Sequence, residues 1–191
     1  SALSGLADFV IGYSGNLGQV HDVETMLGAA EILADNPRIK FLFIGGGKLR
    51  ETLNEAIEAR GLSNIQTRPY QPRDQLRLSL TLADIHWASL MPVMEGLILP
   101  SKLYGIAAAG RPMIMVGDEN GDIGRILTKW EFGVTVPIGN SEGFANAILE
   151  LDRDAERYAR YAANARRFID DEAGRARIIE NWAEMLDEVS A

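Results

Sequence analysis

The sequence predicts an α/β fold: a doubly wound, mostly parallel sheet of six strands with extra helices at the C-terminal end. Three observations carry this expectation. Six short runs are rich in Val, Ile and Phe and read as strands buried on both faces. Between them, apolar residues recur at helical spacing. Glycine clusters, Gly15-Asn16-Leu17-Gly18 and Gly45-Gly46-Gly47, follow the first two runs, where a strand would turn into a helix.

Taken in order, residues 1–8 carry no pattern and read as a linker, leaving 9–191 as one domain. Phe9 to Ser14 is the first strand. Val23, Met26, Leu27, Ala30 and Leu33 mark a helix that Asn36-Pro37 closes. Lys40 to Ile44 is the second strand, and Leu49, Leu53, Ala56 and Ile57 mark a helix stopped by Gly61. Ile65 to Arg68, a short helix over 72–80 with Asp74 in its first turn, and the strand Ala83 to Ala88 follow. Pro100-Ser101 signals the start of an Ala-rich helix that ends at Gly110-Arg111-Pro112. Met113 to Val116, a helix over 123–131 and Gly133 to Val136 come next. Ser141 is the expected cap of a helix over 142–151, followed by helices over 154–168 and 172–189. In the last, Ile178, Trp182, Met185, Leu186 and Val189 form one apolar stripe, a candidate docking or self-association surface.

The expected strand order is 3-2-1-4-5-6, whose crevice lies at the carboxyl ends of strands 1 and 4. Those ends carry Gly15 to Gly18 and the loop leading to Glu95. Residues 95–112, EGLILPSKLYGIAAAGRP, therefore organise the chain. A strand, a loop and a helix start form an anion-binding arrangement, because the first N–H groups of a helix lack internal partners. Ser101 is positioned to cap that helix. Lys102 puts a cation where the helix dipole favours an anion, which makes sense if a phosphate shares that end.

Composition narrows the classes. Net charge is −8, which argues against a nucleic-acid binder. The excess is uneven: from Ser141 onward twelve Asp and Glu face seven Arg, leaving −5 there and −3 in the front portion. An anionic ligand meets less repulsion in the front portion. Without cysteine, and with two histidines, no disulfide or thiolate metal site is expected, and a protein metal site is unexpected. No apolar run reaches the length of about 18 residues that a spanning helix needs, and no signal-peptide pattern opens the chain. A cytoplasmic protein is expected.

Five stretches, 11–27, 41–56, 68–76, 83–112 and 132–148, resemble the C-terminal, donor-binding domain of a GT-B glycosyltransferase. The likeness is to the large retaining family that includes many bacterial polysaccharide and lipopolysaccharide enzymes, the glycosyl transferases group 1, and it covers essentially the whole chain. It implies a Rossmann-like domain that binds a nucleotide-diphosphate sugar such as a UDP-sugar. It also implies a second, N-terminal acceptor-binding domain outside this sequence, so that this half alone transfers no sugar. The implied acceptor is a polysaccharide, a lipopolysaccharide or a lipid-linked sugar. No cofactor or metal is required, and the full enzyme sits in the cytoplasm, with peripheral attachment at the inner face of the membrane as a further expectation.

By the resemblance, donor contacts fall at Gly15, Asn16, Gly18, His21, Gly46, Lys48, Tyr70, Gln71, Gly96, Leu97, Ser101 and Lys102, with catalytic roles at Glu95 and Lys102. Two departures stand out. Many members carry Arg and Lys, five residues apart, to grip the diphosphate; here Asn16 and His21 stand there. Lys102 is the candidate substitute, ahead of Lys48 and Arg111. The family's second glutamate, which holds the donor ribose, aligns with Gly105, so no ribose carboxylate carries over. Bland readings stay beside these. Asn16 and the Gly45 to Gly47 cluster also suit plain turns, His21 also suits a surface position, and Glu95 also suits a loop cap. His86, following Ile85, reads as a satisfied core histidine. Two other functions remain open: half of a GT-B nucleotide-sugar 2-epimerase, and a non-catalytic nucleotide-binding or assembly domain.

Overall fold

The structure, a computed structural model, describes residues 8–174, 177–179, 182–183 and 185–186. Six strands form one all-parallel sheet: β1 (Phe9–Asn16), β2 (Ile39–Gly46), β3 (Ile65–Arg68), β4 (Ile85–Ser89), β5 (Met113–Val116) and β6 (Gly133–Val136). Their order is β3-β2-β1-β4-β5-β6, as the alternation predicts. The helices are α1 (Glu24–Ile32), α2 (Arg50–Arg60), α3 (Leu76–Thr81), α4 (Lys102–Ala108), α5 (Asp122–Trp130), α6 (Ser141–Arg153) and α7 (Ala155–Phe168).

Every residue of β4 and of β5 is buried, as expected of central strands covered on both faces. Alternate side chains point to opposite faces. Ile85, Trp87, Ile114 and Val116 join the core under α1, α2 and α6. Ala88, Met113 and Met115 join the one under α4, α5 and α7. On the first face Trp87 lies 5.0 Å from the Tyr13 ring, 5.7 Å from Phe43 and 6.1 Å from Phe144, centroid to centroid. This aromatic cluster sits below the carboxyl end of β1.

Three local expectations change. Asn140, not Ser141, caps α6: its Oδ1 accepts the Gly143 N–H at 2.9 Å. Ser141 is already helical and packs its hydroxyl at Gly28, where a Cβ would come within 2.3 Å. Ser101 has helical backbone angles and makes no side-chain cap bond, because a cap needs an extended residue ahead of the first turn. After α7 the chain forms a π-turn over Ile169–Ala173 before Gly174, so the 172–189 stretch does not begin as a regular helix. Ile178, Trp182, Met185 and Leu186 are exposed, and Val189 lies outside the described residues, as do residues 1–7 of the expected linker. Among the described residues no helix is long and apolar enough to cross a membrane.

Candidate functional site

The order reverses between β1 and β4, and a cavity of about 340 Å³ opens at this end of the sheet. Ser14, Gly15 and Asn16 from β1 form one wall. Leu76 and Leu80 of α3 form another, with His86 contributing from β4. Ser101, just ahead of α4, and Lys102, Gly105 and Ile106 of α4 close it. Four residues singled out in the sequence, Gly15, Asn16, Ser101 and Lys102, thus meet around one space.

Lys102 gives the cavity its charge. Its Nζ lies 4.8 Å from the Tyr13 ring centroid, a cation–π distance. The Tyr13 hydroxyl donates to the Asn16 carbonyl at 2.7 Å, fixing both the ring and the turn. None of the ion pairs among the described residues involves Lys102. Burial lowers its pKa from the ordinary lysine value, and burial pushes the Tyr13 phenol up. A half-buried ammonium held by a π-face and facing no carboxylate is short of negative charge. The helix dipole adds little, since α4 has seven residues.

Gly15 is what lets the lysine approach. Its φ is +137°, and a Cβ there would lie 2.8 Å from Lys102 Cε. Glycine alone satisfies both conditions.

His21 lies close by. Its Nδ1 is 2.6 Å from the Ser89 carbonyl oxygen, and its ring meets Tyr13 edge-on at 6.0 Å. Burial lowers its pKa, Lys102 lowers it further, and the carbonyls of Ser89 and Asn16 act the other way. His86, read as a satisfied core histidine, is half so. Its Nε2 lies 2.8 Å from the Leu80 carbonyl, while Nδ1 is buried with no partner. Burial pushes it down to about 4, so it is neutral at pH 7.

Other predicted contacts stand further out. Tyr70 covers Gly46, where a Cβ would come within 2.9 Å of its ring, and its hydroxyl is 3.4 Å from Asn16 Oδ1. Gly46 and Gly18 serve the turn: Gly46 accepts the Leu17 N–H at 2.7 Å, and Gly18 accepts that of His21 at 3.2 Å. Gln71 is exposed and bonds the Pro69 carbonyl. Lys48, Gly96 and Leu97 are exposed and do not line the cavity. Arg111 is occupied, donating to the Tyr158 hydroxyl and the Thr81 carbonyl, each at 2.8 Å.

Glu95 turns towards α5, where its Oε2 accepts the Asp122 N–H at 3.2 Å. Its carboxylate fills the space beside Gly121, so it acts on a helix start as an anion should. Glu95→Ala is expected to lower stability by about 0.5–1 kcal/mol, read as a lower urea midpoint. An unchanged midpoint would show that this contact holds nothing in place.

Tyr13, Leu76 and Leu80 escaped the sequence reading, since an aromatic or leucine in a strand or helix reads as core. Gly105, read only as a missing carboxylate, lies between the cavity and a second one of about 470 Å³ that shares Leu76 and Leu80 with the first.

A Rossmann-like domain with a cationic cavity at its topological switch point belongs to the doubly wound α/β class, whose ligand sites lie at that crevice. The sequence profile described as glycosyl transferases group 1 matches residues 3–168, and the chain belongs to that family. It is 32% identical over 117 residues to WcaI of Escherichia coli (strain K12), assigned as a colanic acid biosynthesis glycosyl transferase. That match covers 61% of this chain and 28% of WcaI. It is 27% identical over 142 residues to WbjE of Pseudomonas aeruginosa, assigned as a glycosyltransferase, covering 74% of this chain and 35% of WbjE. The chain thus matches about a third of the length of these curated relatives. Among solved structures, HepE of Anabaena in complex with UDP-glucose superposes with a TM-score of 0.78 at 17% identity. That superposition covers 95% of this chain and 49% of HepE, and it shows the shared fold.

Proposed function

We propose that this domain holds the nucleotide-diphosphate sugar of a retaining glycosyltransferase, and that an N-terminal domain outside this sequence binds the acceptor. The diphosphate lies against the Gly15 turn with Lys102 beside it. As the sugar leaves, negative charge grows on the nucleoside diphosphate, and a fixed ammonium stabilises that charge more in the transition state than in the ground state. No metal takes part in this scheme. The acceptor is a polysaccharide, lipopolysaccharide or lipid-linked sugar, used at the cytoplasmic side of the membrane.

One observation carries the reading: the half-buried Lys102 amine sits at the cavity with no carboxylate partner. The UDP-glucose complex of HepE and the biosynthetic assignment of WcaI support the donor class and the pathway type. The test is ligand-observed NMR of the domain with UDP-, GDP-, dTDP- and ADP-glucose. Saturable binding of one of them is expected. Binding of none by a folded domain would favour a non-catalytic assembly role.

A further inference from the structure

We infer that His86 and Arg111 are positioning residues for the donor: they pin the last turn of α3, and with it the Leu76 and Leu80 wall of the donor cavity. The inference rests on the donor reading above and deepens it. α3 spans six residues, too few to hold a helix by itself. Core packing fixes it only in part. Ser79 is buried and Leu80 half-buried, while Leu76 and Leu78 are 48% and 59% exposed. The Ser79 and Thr81 hydroxyls bond back onto the same turns, to the carbonyls of Gln75, Arg77 and Leu78.

Two side chains from elsewhere hold its end. The last carbonyls of a helix have no partners within it. His86 of β4 places Nε2 2.8 Å from the Leu80 carbonyl, and since a carbonyl only accepts, Nε2 donates. Arg111, from the turn between α4 and β5, donates through Nη2 to the Thr81 carbonyl at 2.8 Å. Among the described residues these are the hydrogen bonds that tie α3 to other elements.

Both donors are themselves fixed. His86 is buried and lies opposite Gly12 of β1, where a Cβ would come within 2.9 Å of its ring. Arg111 gives its Nη1 to the Tyr158 hydroxyl at 2.8 Å, and that hydroxyl donates to the Asp84 carbonyl at 3.0 Å. Leu80 is thus held through its own carbonyl, and Leu76, one turn earlier, lies on the same face. Both leucines line the donor cavity and the one beside it. A shift of α3 moves this wall, while Gly15, Asn16 and Lys102, carried on β1 and α4, stay in place. Arg111 therefore serves the site through α3 rather than by touching phosphate.

The experiment is calorimetric titration of the domain with UDP-glucose, run beside urea unfolding. Arg111→Met keeps the stem and loses both N–H bonds. His86→Leu loses the Leu80 bond, and His86→Gln keeps an N–H for it. Without urea, in folded protein, Arg111→Met and His86→Leu should each weaken binding about three- to tenfold, the scale of one lost hydrogen bond. His86→Gln should recover most of that loss. A residue that only props the fold would lower the urea midpoint and leave the affinity of the folded protein unchanged. That result in Arg111→Met, which is half-buried and the safer variant to fold, overturns the inference and leaves the donor reading intact. Equal weakening in His86→Gln and His86→Leu overturns the part assigned to His86. Binding of no nucleotide sugar by the wild-type domain removes both readings.

Discussion

Lys102→Ala is expected to weaken UDP-glucose binding by about one to two orders of magnitude, the loss of a charge-assisted contact of about 1.5–3 kcal/mol. The same change should leave the unliganded domain at least as stable. The reason is the sign of the burial effect. Folding lowers the pKa of Lys102 from its ordinary value, so its charged form costs stability at neutral pH. That cost fades as pH rises through the folded-state pKa towards the unfolded one. The Tyr13 face returns only about 0.5–1 kcal/mol or somewhat more. A residue that costs stability and gains affinity separates the two readouts. Calorimetry should show the lost binding, and urea unfolding an unchanged or higher midpoint. Unchanged affinity with a lower midpoint would mark Lys102 as a structural prop.

Gly15→Ala should do more damage, and to both properties. At φ +137° an alanine is strained by about 1–3 kcal/mol. Its methyl would also stand 2.8 Å from Lys102 Cε, forcing the ammonium off the Tyr13 ring. Overpacking adds about 1–3 kcal/mol, less where the lysine swings away. The expected outcome is a stability loss of about 2–5 kcal/mol together with loss of UDP-glucose binding. Combining it with Lys102→Ala supplies the discriminating measurement. With the lysine stem gone, the steric part of the stability loss should disappear and the strain part remain, so the double variant should be less destabilised than Gly15→Ala alone.

How much of this was legible in the sequence differs by level. The sheet was readable because β4 and β5 are buried on both faces, and such strands have to be continuous apolar runs. The strand order followed from the alternation, since each parallel crossover needs a helix. Helix caps were less readable. Asn140 and Ser141 are both good cap residues, and only the backbone decides which of them stays outside the helix. Lys102 stood out because its charge has the wrong sign for a helix start. Tyr13 did not, because its two tasks, cushioning Lys102 and anchoring the Asn16 carbonyl, belong to a ring that otherwise reads as core. The direction of Glu95 was hidden too, since its partner N–H belongs to Asp122 on a separate helix. The His86 ring needs Gly12 opposite it, where a Cβ would lie 2.9 Å from Nδ1. That pairing depends on the register of β1 against β4, which no local pattern reveals.

Contact between the Lys102 ammonium and the donor diphosphate can be read at the amine itself, by ¹⁵N NMR of Lys102 through a pH titration with and without saturating UDP-glucose. In the free domain the amine should titrate below the ordinary value of 10.5. With donor bound it should move upward, because a phosphate supplies the negative charge that the protein leaves out. Identical titration curves with the ligand demonstrably bound would place the diphosphate away from Lys102.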